Sequence, residues 1–452
     1  MSAPEVSIVI PSCNHARFLP ERLASILAQT MPRYEAIFLD DGSTDGSYEV
    51  ARGLVGADPR FRFLRAAPPT GNPFAAWRLG LGHARSEIIW IAESDDACEP
   101  GFLENLLPLL RGDPGMGIAY CQSLEIDDQS RLVRDLVSHT DVLDTQRWRN
   151  DYVAQGIEEC RRALLYCNSI PNASACLFSR RALSAAMDAA AGFTLCGDWA
   201  VYVHILSSGW RIGYRAATYN RYRKHMSSQR AVLSGDAREV KEMLRVKHRL
   251  KDILAPSPEE IAMSSTLTLR RLIDLASQLS AGEASRWFDN GQLWSALLDF
   301  DPGFAAMLVG MAPNRWLRLE IFPETDGGFQ EKSKHGLHYG PNVVTRLSQE
   351  APAGRLRIDP CCTPGLVRVI AVNIVDSATG EALAVYNGRG CRSIELAGTC
   401  LAVGCDEHGL LLYAYDNDPI MLFPYVGHPG CRVRIEVTLI GYSLVAAMTH
   451  NS

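Results

Sequence analysis

The chain has 452 residues, 47% of them hydrophobic and 21% charged, with a formal net charge of −6. That is the composition of a soluble protein long enough for two or three domains, and its mild acidity argues against nucleic-acid binding through phosphate contacts. No apolar run approaches the roughly 20 residues of a membrane helix, and no signal peptide is visible before a strand pattern opens at Val6. The cysteines number 13, an odd count. They are scattered, and several, such as Cys121 and Cys176, sit inside apolar runs, the usage expected of reduced core thiols in a cytoplasmic protein.

Taken in order, Val6–Ile10 (V-S-I-V-I) reads as a buried strand that stops at the turn cluster Pro11-Ser12-Cys13-Asn14. Leu19, Leu23, Ile26 and Leu27 then recur at helical spacing, with Pro20 near the helix start. Ala36–Leu39 is a second strand and runs into Asp40-Asp41-Gly42-Ser43-Thr44-Asp45. Ile88–Ala92 is another, ending in Glu93, Asp95 and Asp96. Apolar strands followed by loops and helices predict βαβ units with parallel strands. Parallel strands bring both acidic loops to one sheet edge, where ligands bind in open α/β folds. Carboxylates gathered there repel one another unless a cation sits among them. Hard oxygen ligands of this kind suit Mg²⁺ or Mn²⁺. Taken alone, Glu93–Asp96 reads equally well as a solvated acidic loop.

The segment D-D-G-S-T-D is not an EF-hand loop, because the twelfth position counted from Asp41 is Arg52. Ser43 or Thr44 is placed to cap the following helix. A carboxylate at such a strand end accepts from a base N–H or a ribose hydroxyl. Neither G-x-G-x-x-G after the first strand nor G-x-x-x-x-G-K-[ST] is present, which removes the main support for dinucleotide and P-loop readings.

The run V-S-I-V-I-P-S-C-N, then A-I-F-L-D-D-G-S-T-D, then E-I-I-W-I-A-E-S-D-D resembles the inverting family 2 glycosyltransferases of GT-A fold, over roughly residues 5–230. The resemblance implies a nucleotide-sugar pocket drawing on Pro11, Asn14, Asp41, Arg78, Glu93, Ser94 and Asp95, with Asp41 reading the base. It implies a divalent metal, Mn²⁺ or Mg²⁺, served by Asp95, Asp96 and His225. The sequence departs from the family at two places. Glu93 stands where the first Asp of D-x-D is usual, and Gly71–Gly82 carries Trp77 and Arg78 where an N-x-G…A-x-N-x-G pattern is common. Asn168–Ser174 resembles the acceptor-side loop. Asp198, between Gly197 and Trp199, matches the position of the family's catalytic base, and an N-cap aspartate is the bland reading of the same residue. Tyr222–Ser228 resembles the closing Y-R-x-H-x-x-S segment.

Downstream, Val240, Leu244 and Lys247–Leu250, then Leu269, Leu272, Ile273, Ala276 and Leu279, predict a helical connector. The run Arg211–Lys251 is rich in Arg and Lys, a solvated face or a peripheral contact with anionic lipid at the inner face of the membrane. From Leu317 the period switches to two. Leu317, Leu319 and Ile321, and later Val433, Ile435, Val437 and Leu439, predict an antiparallel β-sandwich or jelly roll. It resembles β-domains appended to bacterial surface-polysaccharide glycosyltransferases. The expected division is 1–230 catalytic α/β domain, 231–312 connector and 313–452 β-domain. The expected activity is transfer from a nucleoside-diphosphate sugar, UDP- or dTDP-linked, to a glycan or lipid-linked acceptor. A metal-dependent nucleotidyltransferase and a non-catalytic sugar- or nucleotide-binding protein stay open as alternatives.

Overall fold

The computed structural model describes residues 3–225, 237–276, 291–301, 317–325, 328–339, 344–361, 365–428 and 430–442. Met226, Ser227 and Ser228 of the closing segment, Leu279 of the connector, and Cys362, Thr363 and Pro364 of the β-domain lie outside the described residues. Contacts divide the chain into two units, Met1–Thr268 and Leu269–Ser452.

The first unit is α/β. Its strands are β1 (Val6–Ser12), β2 (Tyr34–Asp40), β3 (Phe61–Arg65), β4 (Ile88–Ile91), β5 (Ala97–Cys98), β6 (Met116–Ile126), β7 (Leu132–Asp135), β8 (Tyr152–Gln155), β9 (Cys176–Ser179) and β10 (Arg211–Arg223). They run in the order β3-β2-β1-β4-β9-β6-β10-β5, with β7 on β6 and β8 on β10. Most of the central pairs are parallel: β1 with β2 and β4, β2 with β3, and β6 with β10. β9 lies antiparallel between β4 and β6. Every residue of β1 and β2 is buried, as expected of parallel strands covered on both faces. Glu35 tolerates this because Ser7 Oγ donates to it at 2.6 Å and Arg85 Nε at 2.7 Å.

The helices are α1 (Leu19–Leu27), α2 (Ser47–Val55), α3 (Pro73–Gly82), α4 (Phe102–Arg111), α5 (Gly156–Glu159), α6 (Arg180–Ala186), α7 (Gly197–Ser207), α8 (Arg238–Leu254) and α9 (Pro258–Ala276). α1 buries Leu19, Leu23 and Ile26 as its periodicity requires, each worth about 1.5–3 kcal/mol. α8, in the stretch expected to be connector, belongs to the first unit. α3 crosses β1 at Gly80, where a Cβ would stand 2.3 Å from Val9 Cγ1. Gly80→Ala is therefore expected to cost about 1–3 kcal/mol by overpacking, read as a lower melting temperature. An unchanged melting temperature would mean that the helix and strand have room to part.

Within the run Arg211–Lys251, several of the described cations are paired or buried. Arg211 pairs with Asp113, Arg215 with Asp151, Arg221 with Glu99 and Lys224 with Glu125. Arg223 and Lys247 are buried. The Lys247 ammonium lies within 2.7–3.0 Å of Tyr166 O, Ser264 O, Ser264 Oγ and Thr268 Oγ1, joining α8 to α9.

In the second unit the described strands between Leu317 and Tyr442 join in one ten-stranded antiparallel sheet. The long strand Gly409–Val426 pairs with Gly354–Asp359, Gly365–Asp376 and Glu395–Asp406. The period-two pattern is realised in its core: Leu319, Ile321, Val433, Ile435, Val437 and Leu439 are all buried there. No helix among the described residues is long and apolar enough to cross a membrane.

Candidate active site

A cleft of about 640 Å³ opens in the first unit at the carboxyl ends of β1, β2 and β4. Pro11, Asn14, Asp41, Glu93, Asp95, Asp96 and Asp198 all line it, so residues far apart in sequence meet in one place. The first two loops are laced together. Asn14 N–H donates to Ser43 Oγ at 3.0 Å, and Asn14 Oδ1 accepts from Thr44 N–H at 2.8 Å. His15 N–H donates to Ser47 Oγ at 3.0 Å and Ala16 N–H to Asp45 Oδ2 at 2.9 Å. Ser43 and Thr44 are thus spent on the neighbouring loop and do not cap α2, whose N-cap is Gly46 at φ 84°. Asp41 is buried and faces the loop before α3: it accepts from Thr70 N–H at 2.5 Å, Thr70 Oγ1 at 2.7 Å and Gly71 N–H at 3.2 Å.

The acidic end of β4 is held by Arg22 of α1, fully buried, whose Nε donates to Glu93 O at 2.7 Å and Nη2 to Ser174 Oγ at 2.9 Å. The carboxyls there do three different things. Glu93 Oε1 accepts from the Trp77 indole at 2.7 Å. Burial, and then the charge of Asp95, push Glu93 up to about 8. Asp96 accepts from Arg223 N–H at 2.8 Å and Asn172 Nδ2 at 2.6 Å, and burial with the Asp95 charge raises it to about 7. With one hydrogen bond to each oxygen, Asp96 ties β4 to β10 while still lining the cleft, and it is not among the clustered donor atoms of His15, Asp95 and His225. Asp95 Oδ2 lies 3.0 Å from His225 Nε2. Burial works to raise Asp95, but the His225 hydrogen bond and the imidazoles beside it outweigh that and hold it below the usual carboxylate range.

The cluster of donor atoms is His15, Asp95 and His225, each offering one atom, all within 4.8 Å of one another. Sequence reading missed His15. Its only signal is its place immediately after the first turn cluster, and its partner is distant: Nδ1 lies 2.8 Å from Ser94 Oγ. Burial pulls His15 below the ordinary imidazole range, toward the neutral form that a metal ligand needs. Ser94, expected on the nucleotide, is buried behind His15 and does not line the cleft. Arg78, expected in the same nucleotide-sugar pocket, does not line it either. α3 turns Arg78 outward to pair with Asp188, while Phe74 and Trp77, three residues apart, face the cleft.

On the opposite wall, Asp198 is the second residue of α7, inside the helix and not its N-cap. Its Oδ1 accepts from Trp199 N–H at 2.7 Å, and Asn168 Nδ2 approaches Oδ2 at 3.4 Å. The loop ahead of α7 is satisfied by Glu242 of α8, which sequence reading also missed. Its buried carboxylate accepts from Thr194 N–H at 2.9 Å and from Leu195 and Cys196 N–H at 2.8 Å each. Asn72 holds the same loop from the other side, donating Nδ2 to Phe193 O at 2.7 Å while its Oδ1 caps α3. A Cβ on Gly197 would lie 2.5 Å from the Phe74 ring, so α7 starts against the aromatic wall.

Residues 7–164 match the sequence model of Glycosyl transferase family 2. Over 101 residues the chain is 36% identical to glycosyltransferase GlyG of Streptococcus pneumoniae, covering 22% of this chain and 33% of that protein. Over 130 residues it is 31% identical to chondroitin synthase of Pasteurella multocida, covering 29% of this chain and 13% of that protein. The aligned stretches span a third or less of these curated relatives. Among solved structures, S. aureus TarS 1-349 in complex with UDP-GlcNAc is similar with a TM-score of 0.50 at 13% identity, over 74% of this chain and 99% of that chain. That is a likeness of fold. The loops that carry Asp41 and Asp95 lie inside the matched stretch, and Asp198 and His225 follow it. The matched residues all lie within the first unit of the chain, which over that stretch is similar to a glycosyl transferase family 2 domain.

Proposed function

We propose that the first unit transfers a sugar, with inversion, from a nucleoside-diphosphate sugar (UDP- or dTDP-linked) to a hydroxyl of a glycan or lipid-linked acceptor in bacterial surface-polysaccharide synthesis. The observation that carries this reading is that Asp41, Asp95 and Asp198, from three separate segments, line one cleft. The family 2 domain and the relatives named glycosyltransferase and chondroitin synthase support it.

In this reading Asp41 and Pro11 bound the base and Asn14 shapes the loop beneath it. Asp41 keeps one lone-pair direction, on Oδ1, beyond those used by Thr70 and Gly71, and a base N–H is a fitting donor for it. His15, Asp95 and His225 fit a divalent cation: two imidazoles and one carboxylate, with the Asp95 and His225 donor atoms 3.0 Å apart. Nitrogen donors favour Mn²⁺ over Mg²⁺, which prefers oxygen throughout. When bound, the cation neutralises charge on the diphosphate leaving group. Asp198 lies in the first turn of α7, where the helix dipole favours negative charge, and takes the proton from the acceptor hydroxyl. The acceptor oxygen bonds to the anomeric carbon as the bond to the diphosphate breaks on the opposite face, and no enzyme nucleophile is required.

The test is a screen of nucleotide sugars with Mn²⁺ for transfer or slow hydrolysis. Release of a nucleoside diphosphate is the expected result. Release of pyrophosphate would make the protein a nucleotidyltransferase, and nucleotide binding without turnover of any donor would make it a binding protein.

A further inference from the structure

We propose that Trp77 is a positioning residue whose indole turns the Glu93 carboxyl toward a hydroxyl of the bound sugar nucleotide and keeps it out of the cation site. The inference rests on the nucleotide-sugar reading of the cleft. Its starting point is that the two departures from the family pattern are in contact. Glu93 replaces the usual aspartate, Trp77 stands in the divergent segment Gly71–Gly82, and Trp77 Nε1 donates to Glu93 Oε1 at 2.7 Å.

A glutamate has one more rotor than an aspartate and reaches roughly 1.5 Å further. Unrestrained, it would sweep the space beside Asp95. Here it is fixed at both ends. Its N–H donates to Ser174 Oγ at 3.0 Å and its C=O accepts from Arg22 Nε at 2.7 Å. The indole that fixes its tip is itself only 2% exposed and is braced edge-on against Phe74, with ring centroids 5.1 Å apart. The outcome is visible in two places. Glu93 is not one of the three residues whose donor atoms cluster within 4.8 Å. Its second oxygen, Oε2, takes no hydrogen bond among the described residues although the side chain lines the cleft. A carboxyl oxygen held there pairs with a hydroxyl, accepting its O–H when ionised and donating to it when protonated. The ribose and the transferred sugar both offer hydroxyls. An indole N–H only donates, so Trp77 serves the carboxyl, and an aspartate at position 93 would stop short of it.

The experiment uses the full chain, calorimetry, Mn²⁺, and whichever of UDP, dTDP and GDP the wild type binds, together with the glucose derivative of that nucleotide. Trp77→Phe keeps the ring and removes the N–H. Glu93→Asp leaves α3 untouched, withdraws the carboxyl, and carries the test alone if Trp77→Phe does not fold. Each is expected to weaken nucleotide-glucose binding about tenfold, and the double variant is expected to be no weaker than either single one. A loss shared by the bare nucleotide assigns the hydroxyl to ribose, and a loss confined to the nucleotide-glucose assigns it to the transferred sugar. A Trp77 that only packs would lower the melting temperature and give additive losses. Additive losses, or wild-type affinity in either single variant, overturn the inference. A wild type that binds none of the three nucleotides overturns the nucleotide-sugar reading as well.

Discussion

Asp198→Asn is expected to fold, to bind nucleotide with wild-type affinity, and to transfer sugar about 10²–10⁴-fold more slowly, the usual worth of a positioned base. The substitution preserves shape, and its amide oxygen still accepts from Trp199 N–H, so the contact at 2.7 Å survives. The loop entering α7 does not depend on Asp198, because Glu242 and Asn72 hold it. Only basicity is removed. Transfer at the wild-type rate in this variant, measured at saturating donor and acceptor, would place the base elsewhere. A fall in nucleotide affinity would mean that Asp198 works on the donor side of the cleft.

Asp95→Ala is expected to abolish the Mn²⁺ dependence of nucleotide binding. Of the three clustered donor residues it is the one that brings negative charge, and without it two imidazoles remain for a divalent cation. Losing even an orienting partner costs metal sites about 10–100-fold in affinity, so losing this ligand is expected to cost at least the upper end of that range. Ser94→Ala supplies the graded control. Ser94 Oγ lies 2.8 Å from His15 Nδ1 and orients the ring, and its removal is expected to cost about tenfold in Mn²⁺ affinity. Calorimetric titration of nucleotide with and without Mn²⁺ reads both. Undiminished Mn²⁺-dependent binding in Asp95→Ala would remove the cluster from consideration as the cation site.

Much of this site was legible because it is local. The acidic loops after β2 and β4 follow directly from strand patterns, and parallel pairing brings them to one edge. What was illegible depends on side chains that meet across long separations. Asp96 and Asp95 look alike in sequence. Only the approach of Asn172, 76 residues on, and of the β10 backbone, 127 residues on, gives Asp96 surroundings different from those of Asp95. Arg78 and Trp77 are neighbours whose roles were set by helix phase once α3 docked. β2 begins two residues before its apolar run, because Glu35 near its start is buried by pairing with Ser7 and Arg85. Glu242 carries no motif at all.

Glu242 also decides where this protein can be cut. It lies on α8, downstream of the residues that match the family model, so a chain excised at residue 230 would keep the whole matched stretch and lose the acceptor for three N–H groups beside Asp198, two of them buried. Each hydrogen bond to a charged group is worth about 1.5–3 kcal/mol, so losing three consumes a large part of the margin by which a domain of this size stays folded. Lys247 then ties α8 to Ser264 and Thr268. The smallest autonomous fragment is therefore expected to end inside α9, and chimaeras that graft this fold onto new partners should place their joint after Thr268.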